Sequence, residues 1–436
     1  MKYNLRLKIK KRTQTGWLMW FLIVFPFTFG TLIDILHMPN AIKYLLDLAW
    51  LALLVYIVRF SGMLNFRKTR HFLIWVFLFL SFTVLVYIFR YQSLLYYLWG
   101  LRNNFRYYVT FIALTVFMSR EDGDSYLCLF DKLFWVEFGL CLIQYLLGYK
   151  GDFLGGLFGI ETGSNGYLNM FYIIMTARTV LLCLNKRETL HMCIAKCAAI
   201  LLVAALAELK FFFIEFAVIV VLAVLITDFS WRKVWIILAS ALGIVAGIAM
   251  LCTIYPFFRD VYSIEGLLEI ATSEQGYTYR GDLNRLTVIS EVNRRFFSSW
   301  IDQMFGFGLG NCDGSTFTFL CSPFSVQYSW THYNLFSSSF VYLEMGWIGL
   351  GFFFGFFLLY YFVTKKLEKT GQADIHHCQL ARIVSLCCCL VCIYNSSLRT
   401  EVGYMAYFVL ALPYMKPTKS DRIQRKDYES ITTSGV

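Results

Sequence analysis

Two arginines, Arg102 and Arg106, stand four residues apart in the stretch YLWGLRNNFRYYV. On a helix that spacing puts both on one face. A guanidinium fork there matches a carboxylate or a phosphate. Snorkelling to a membrane interface is the structural use of the same pair. Glu208 and Lys210 lie between two apolar runs in AALAELKFFFIEF. Ionisable groups at such a hinge are functional candidates, or they form a local ion pair that ends a helix. His332, in SWTHYNLF, has the chemistry of a base near neutral pH, although a lone histidine often serves only as a hydrogen-bonder. Arg280, Arg285, Arg294 and Arg295 fall in one segment with a three-to-four-residue apolar repeat.

Other ionisable residues read as structural. Glu137 and Glu215 sit deep in apolar runs, and Asp34 and Asp47 share that doubt. There is no HExxH or EF-hand pattern, so nothing dictates a metal. Gly306, Gly308 and Gly310 form GFGLG, which lacks the third spaced glycine of a dinucleotide fingerprint and reads as a tight turn. Cys312 and Cys321 share one loop and would bond only in an oxidising compartment and a fitting geometry.

The elements that must position these residues are helices in a bilayer. Of 436 residues, 58% are hydrophobic and only 15% charged, and mean hydropathy is +0.59. That excludes a soluble enzyme, a disordered chain and a disulfide scaffold. Unbroken apolar runs exclude an alternating membrane barrel. About twelve spans are expected, at 17–36, 41–59, 71–89, 99–118, 126–148, 167–184, 190–208, 211–228, 234–253, 336–363, 378–395 and 402–415. The fold class is all-α, one polytopic integral membrane domain over 1–436. With the N-terminus inside, 25 of the 39 Lys and Arg fall on the cytoplasmic side. Both termini are therefore expected in the cytoplasm. The net charge of +11 is then largely a topology signal and does not imply nucleic acid. The basic tail 416–436 reads as a solvated stop signal near anionic lipid.

Two segments stand out on the opposite face. One is the glycine-rich loop 149–166. The other is the long extracytoplasmic loop 254–335. In it, Leu283, Leu286, Ile289, Val292, Phe296 and Trp300 predict one amphipathic helix lying at the interface. The pairs Gly243/Gly247 and Gly351/Gly355 read as helix-packing contacts.

A family resemblance rests on the order of these features. Lys210 opens a span, Arg280 and Arg285 lead the amphipathic helix, and GFGLGN, THYN and EMGWIGLG follow, the last with Glu344, Gly346 and Gly349. Over about 99–355 this resembles the O-antigen ligase and polymerase superfamily. The loop DFLGGLFGIETGSNGYLN, preceded by WGLRNNFRYY, looks most like the Wzy-type polymerases of cell-surface polysaccharide, O-antigen or capsule. Two features depart from the family pattern: Tyr333 separates His332 from Asn334, and a lysine stands where the family opens the span with arginine.

The resemblance implies a GT-C-like glycosyltransferase of the bacterial cytoplasmic (inner) membrane. Its donor would be a glycan on undecaprenyl diphosphate, with no nucleotide sugar, metal or other cofactor. Arg280 and Arg285 would hold the donor diphosphate, and Arg102, Arg106, Lys210 and Arg399 further phosphate. His332 would deprotonate or orient the acceptor, with Glu208 and Glu344 positioning these groups. Membrane lipid, a chain-length regulator and a flippase are the implied partners. A ligase sharing the same donor, and a lipid-linked oligosaccharide flippase, are the competing functions.

Overall fold

The computed structural model describes residues 13–63, 66–228, 230–256, 259 and 282–417. Arg280, the start of the long loop and nearly all of both basic tails lie outside them. Among the described residues the chain is helical, and the one β-bridge joins Ser119 to Lys416. In chain order the first nine helices are α1 (Gln14–Val24), α2 (Leu45–Arg59), α3 (Arg70–Arg90), α4 (Leu94–Phe117), α5 (Arg120–Leu146), α6 (Ser164–Leu184), α7 (Leu190–Leu206), α8 (Phe212–Ile226) and α9 (Trp231–Ile254). The short helices α10 (Val288–Arg295), α11 (Trp300–Phe305) and α12 (Pro323–Tyr328) follow. Then come α13 (Ser337–Lys369), α14 (Ile375–Tyr394) and α15 (Gly403–Ala411).

Every expected span coincides with helix, but among the described residues six helices are long and apolar enough to cross a membrane. These are Asn40–Arg59, α3, α6, α9, α13 and α14. The helices α7 and α8 are apolar but shorter. At the ends of the chain the α-helix itself is short. After 11 residues α1 passes into 3-10 and π turns that end at Ile35. After 9 residues α15 passes into a 3-10 turn containing Pro413. The protein is an all-helical, membrane-embedded chain.

Burial separates central from peripheral helices. In α6 83% of the most apolar window is buried, and in α14 72%, against 22% in α9. A helix apolar all round and buried forms the core, whereas α9 and α3 turn apolar side chains such as Trp235, Leu242, Phe77 and Leu85 outward, as lipid contact allows. Aromatic rings fill the centre. Phe72, Phe111, Phe356 and Tyr360 meet edge-on or stacked between α3, α4 and α13. Gly247 packs against Phe213 and Gly355 against Trp75, but Gly351 faces open space and packs nothing.

The predicted single amphipathic helix from Leu283 to Trp300 is corrected to two short ones. Leu283 and Val292 are buried as the repeat requires, Ile289 and Phe296 are partly buried, and Leu286 and Trp300 are largely exposed, while Val288, outside the repeat, is buried. The break has a local cause. Ser299 and Asp302 form a capping box that starts α11, with Asp302 also accepting from Ser298 and from Arg90 at 2.8 Å. That reciprocal cap satisfies helix-start donors and resets the phase of the repeat. Arg294 and Arg295 both pair with the buried Glu291. Cys312 and Cys321 are free thiols.

At one end of the bundle gather the 149–166 loop, the 207–211 turn, the described part of the long loop and the connection 395–402. The other end gathers the α2–α3, α4–α5, α6–α7 and α13–α14 connections and Lys416. There acids neutralise many of the bases: Asp131 with Arg178 at 2.7 Å, Glu188 with Lys196 at 2.7 Å, and Glu368 with Arg382.

Candidate functional site

At the loop-bearing end the long helix α13 is interrupted at Gly346, with φ +59° and ψ −159°. The carbonyls of Leu343 and Glu344 accept bonds from Phe307 and Gly308, at 2.9 and 2.8 Å. So GFGLG and EMGW, which are far apart in sequence, interlock through their backbones. The turn then tucks under α4. A Cβ on Gly310, whose φ is +88°, would stand 1.9 Å from the Tyr96 carbonyl oxygen. Gly310→Ala should therefore fold poorly, losing at least about 2 kcal/mol from the left-handed backbone and the clash. Thermal unfolding of the purified variant measures it.

The seated turn brings Asp313 beside Asn103, at 2.6 Å, and within 3.5 Å of Arg399. The Glu344 carboxylate is buried and accepts from the Cys312 backbone at 3.2 Å, so it anchors the turn. Burial pushes the Asp313 carboxyl above the usual carboxylate range, against the pull of Arg399 and Asn103. On α4, Arg102 grips Asp47 with both prongs, at 2.9 and 2.6 Å, and stacks on Trp99. Arg106 is 1% exposed. It donates to the Tyr107 hydroxyl and to the Arg399 carbonyl, and stands 3.5 Å from Glu401. Tyr107 in turn donates to the Thr400 carbonyl, and Tyr167 to Glu401. Arg102, Arg106 and Arg399 are thus interleaved with Asp47, Glu401 and Asp313 in a neutralised, mostly buried network.

A second group is more open. The end of α7 is a Schellman turn: Glu208 takes φ +57°, and the Leu209 amide bonds the Ala204 carbonyl at 2.9 Å. Glu208 pairs with Lys210 at 3.0 Å, so the local ion pair exists. Burial lowers the Lys210 ammonium below its usual value, Glu208 pulls it back, and the charges of Arg285 and Asp152 reach it too. The Arg285 guanidinium lies 4.2 Å from the centre of the Tyr394 ring, which stacks on Phe211. His332 is half exposed, with φ +54° and its Nδ1 3.3 Å from Asp282. A carboxylate at Nδ1 favours the tautomer whose Nε2 carries the lone pair. Left-handed backbone at a non-glycine costs of order 1–3 kcal/mol and clusters at functional sites. Glu208 and His332 both carry it.

The connection 394–401 joins the two groups. Tyr394 meets Arg285, Asn395 caps the start of α13 through Ser337, Ser397 bonds the Gly166 carbonyl, and Arg399 and Glu401 enter the buried network. The glycine-rich loop is held from below as well. Glu137 accepts from Leu157 at 2.7 Å, Asp34 from Ile160 at 2.7 Å, and Gln144 brackets Gly156. Every expected site residue within the described chain reaches this end. The sequence reading missed Glu401, Asp313, Asp282 and Tyr394, and left Asp47 without a partner. The available signal was that membrane-end arginines need counter-charges on the loops of the same end. No protein family, no curated protein and no solved structure is similar enough to the chain to count as a match.

Proposed function

We propose that the chain is a glycosyltransferase that polymerises lipid-diphosphate-linked oligosaccharide repeat units into a surface polysaccharide. It would act at the outer face of a bacterial cytoplasmic membrane, with both termini inside, and its fold would be GT-C-like. The observation that carries this reading is convergence. Arginine, lysine, histidine and carboxylate groups scattered from Asp47 to Glu401 meet at one end of a membrane-embedded bundle.

In this reading the partly exposed Arg285 and Lys210 hold the donor diphosphate, a role that also falls to Arg280, which lies outside the described residues. The acceptor hydroxyl oxygen bonds the anomeric carbon as the carbon–oxygen bond to the diphosphate breaks. The electron pair leaves on the diphosphate, where the cations offset the growing charge. The hydroxyl proton passes to His332 Nε2, with Asp282 orienting the ring. Arg102, Arg106 and Arg399 each already face a carboxylate, so they shape and position the site. Glu208 tethers Lys210.

The test is a glycan profile of a strain lacking the protein, resolved by size and by lipid attachment. Single repeat units on the carrier, with no long chains, are expected. Long chains retained on the carrier would instead mean a ligase, and repeat units trapped on the cytoplasmic face a flippase. An unchanged profile in a strain with no second copy overturns the reading.

A further inference from the structure

Among the described residues three glutamates, Glu137, Glu215 and Glu344, are wholly buried, each 0% exposed. The fold uses two of them. Glu137 holds the glycine-rich loop through the Leu157 amide, and Glu344 holds the GFGLG turn through the Cys312 amide. Glu215, in the first turn of α8, differs: neither carboxylate oxygen has a partner within hydrogen-bonding geometry. Around α8 pack α6, α7, α9 and α14. From α6 the polar group facing Glu215 is Asn169, whose amide oxygen and nitrogen also lack a partner in that geometry. From α14 the Cys387 and Cys388 thiols face it. Among the described residues no titratable group of α7 or α9 and no cation reaches it, and Lys210, in the turn before α8, pairs with Glu208.

The helix beside Glu215 has a polar face. Asn169, Tyr172, Thr176 and Thr179 recur every three or four residues along α6, which sets them on one side of the helix. All four are 0% exposed, and the Thr176 and Thr179 hydroxyls, like the Asn169 amide, make no hydrogen bond. Asn165, one turn before Asn169, lies on the same side and meets the loop-bearing end. It donates to Asp152 at 2.8 Å and to the Ala207 carbonyl at 3.1 Å. A line of polar groups therefore leads from that end to the neighbour of Glu215.

A lone carboxylate in such a place is strongly disfavoured unless something neutralises it. Hard metal cations take about six or more oxygen ligands. The groups at Glu215 offer its own two carboxylate oxygens and the Asn169 amide oxygen, with thiols on the α14 side. A proton needs one oxygen. We infer that Glu215 is a proton-binding site that exchanges with the solution at the loop-bearing end along the polar face of α6. The proton comes from that solution and bonds a carboxylate oxygen through a lone pair. Uptake leaves the core neutral, and release leaves one negative charge below the Lys210 turn. Carboxyls within membrane helices that load and unload protons are the working parts of proton relays. This inference is independent of the function proposed above.

The test is infrared difference spectroscopy of the full-length protein in detergent, wild type against E215Q. Glutamine keeps the size of the side chain and removes the titrating group, so the variant should fold. Wild type should show the carbonyl stretch of a protonated carboxyl that E215Q lacks. Transfer to heavy water should shift that band to lower frequency, and raising the pH should replace it with carboxylate bands. Should E215Q fail to insert, Asn169→Leu reads the same site: the band should move, and its response to heavy water should slow. A band that stays in place in heavy water would mean a sealed structural acid and overturns the exchange. A carboxylate signal at every pH, altered by sodium and not by protons, would mean a metal cation and overturns the proton. No difference between wild type and E215Q in the carboxyl region overturns the site.

Discussion

Arg285→Ala should abolish long glycan chains while the protein remains in the membrane at its normal level. The side chain is partly exposed and held over Tyr394, so its loss removes no core packing. If Arg285 offsets the charge that builds on the departing diphosphate, one such contact is worth about 10²–10³ in rate. Arg285→Lys keeps the charge but loses the planar fork and the stack, and should recover only part of that. Tyr394→Phe retains the ring and should stay close to wild type. Glycan size profiles read all three, with immunoblots of membranes to confirm protein level. Chains of normal length from Arg285→Ala would remove Arg285 from the donor site and weaken the polymerase reading.

What the sequence showed clearly was an all-helical, membrane-embedded chain, because apolar runs are local, although six described helices rather than twelve have the length and apolarity to cross a membrane. The ends of the chain were less clear: α1 and α15 leave α-geometry early, and hydropathy is blind to that. The apolar repeat from Leu283 to Trp300 suggested one helix, and each of its residues has its own structural fate. The serine and aspartate that divide it, Ser299 and Asp302, fit a capping pattern that was readable and outweighed by periodicity. The cations that gather at one end were legible, since a basic residue beside a span stands out, whereas Asp282, Asp313 and Glu401 beside them were not singled out. The wiring was not legible either. Arg102 finds Asp47 across 55 residues, and Arg106 meets the 399–401 stretch nearly 300 residues on. Nothing local encodes such pairings. The result is a division the sequence did not draw, between Arg102, Arg106 and Arg399, which lie deeper and face carboxylates, and the more exposed Arg285, Lys210 and His332.

That division has a measurable consequence in Glu401. Its carboxylate accepts from Tyr167 and faces Arg106, which is almost completely covered. Exposed ion pairs contribute about 0–1 kcal/mol, whereas removing one member of a buried pair costs about 3–5 kcal/mol because the other charge is stranded. Burial places this pair in the second class. Glu401→Ala should therefore lower the unfolding midpoint of the detergent-purified protein sharply, and more than Arg285→Ala does. A midpoint within error of wild type would mean the network is solvated and its charges are interchangeable surface pairs. The double variant R106M/E401L separates stability from positioning. Replacing both charges with apolar side chains of similar volume should return most of the lost stability. It cannot return the bond from Arg106 to the Arg399 carbonyl. The 395–402 connection would then be held less firmly, and with it Arg399 and the Tyr394 ring on which Arg285 rests. A stable R106M/E401L protein that makes shortened chains is the expected result. A stable protein with chains of wild-type length would show that the buried network supports the fold and leaves Arg285 unaffected.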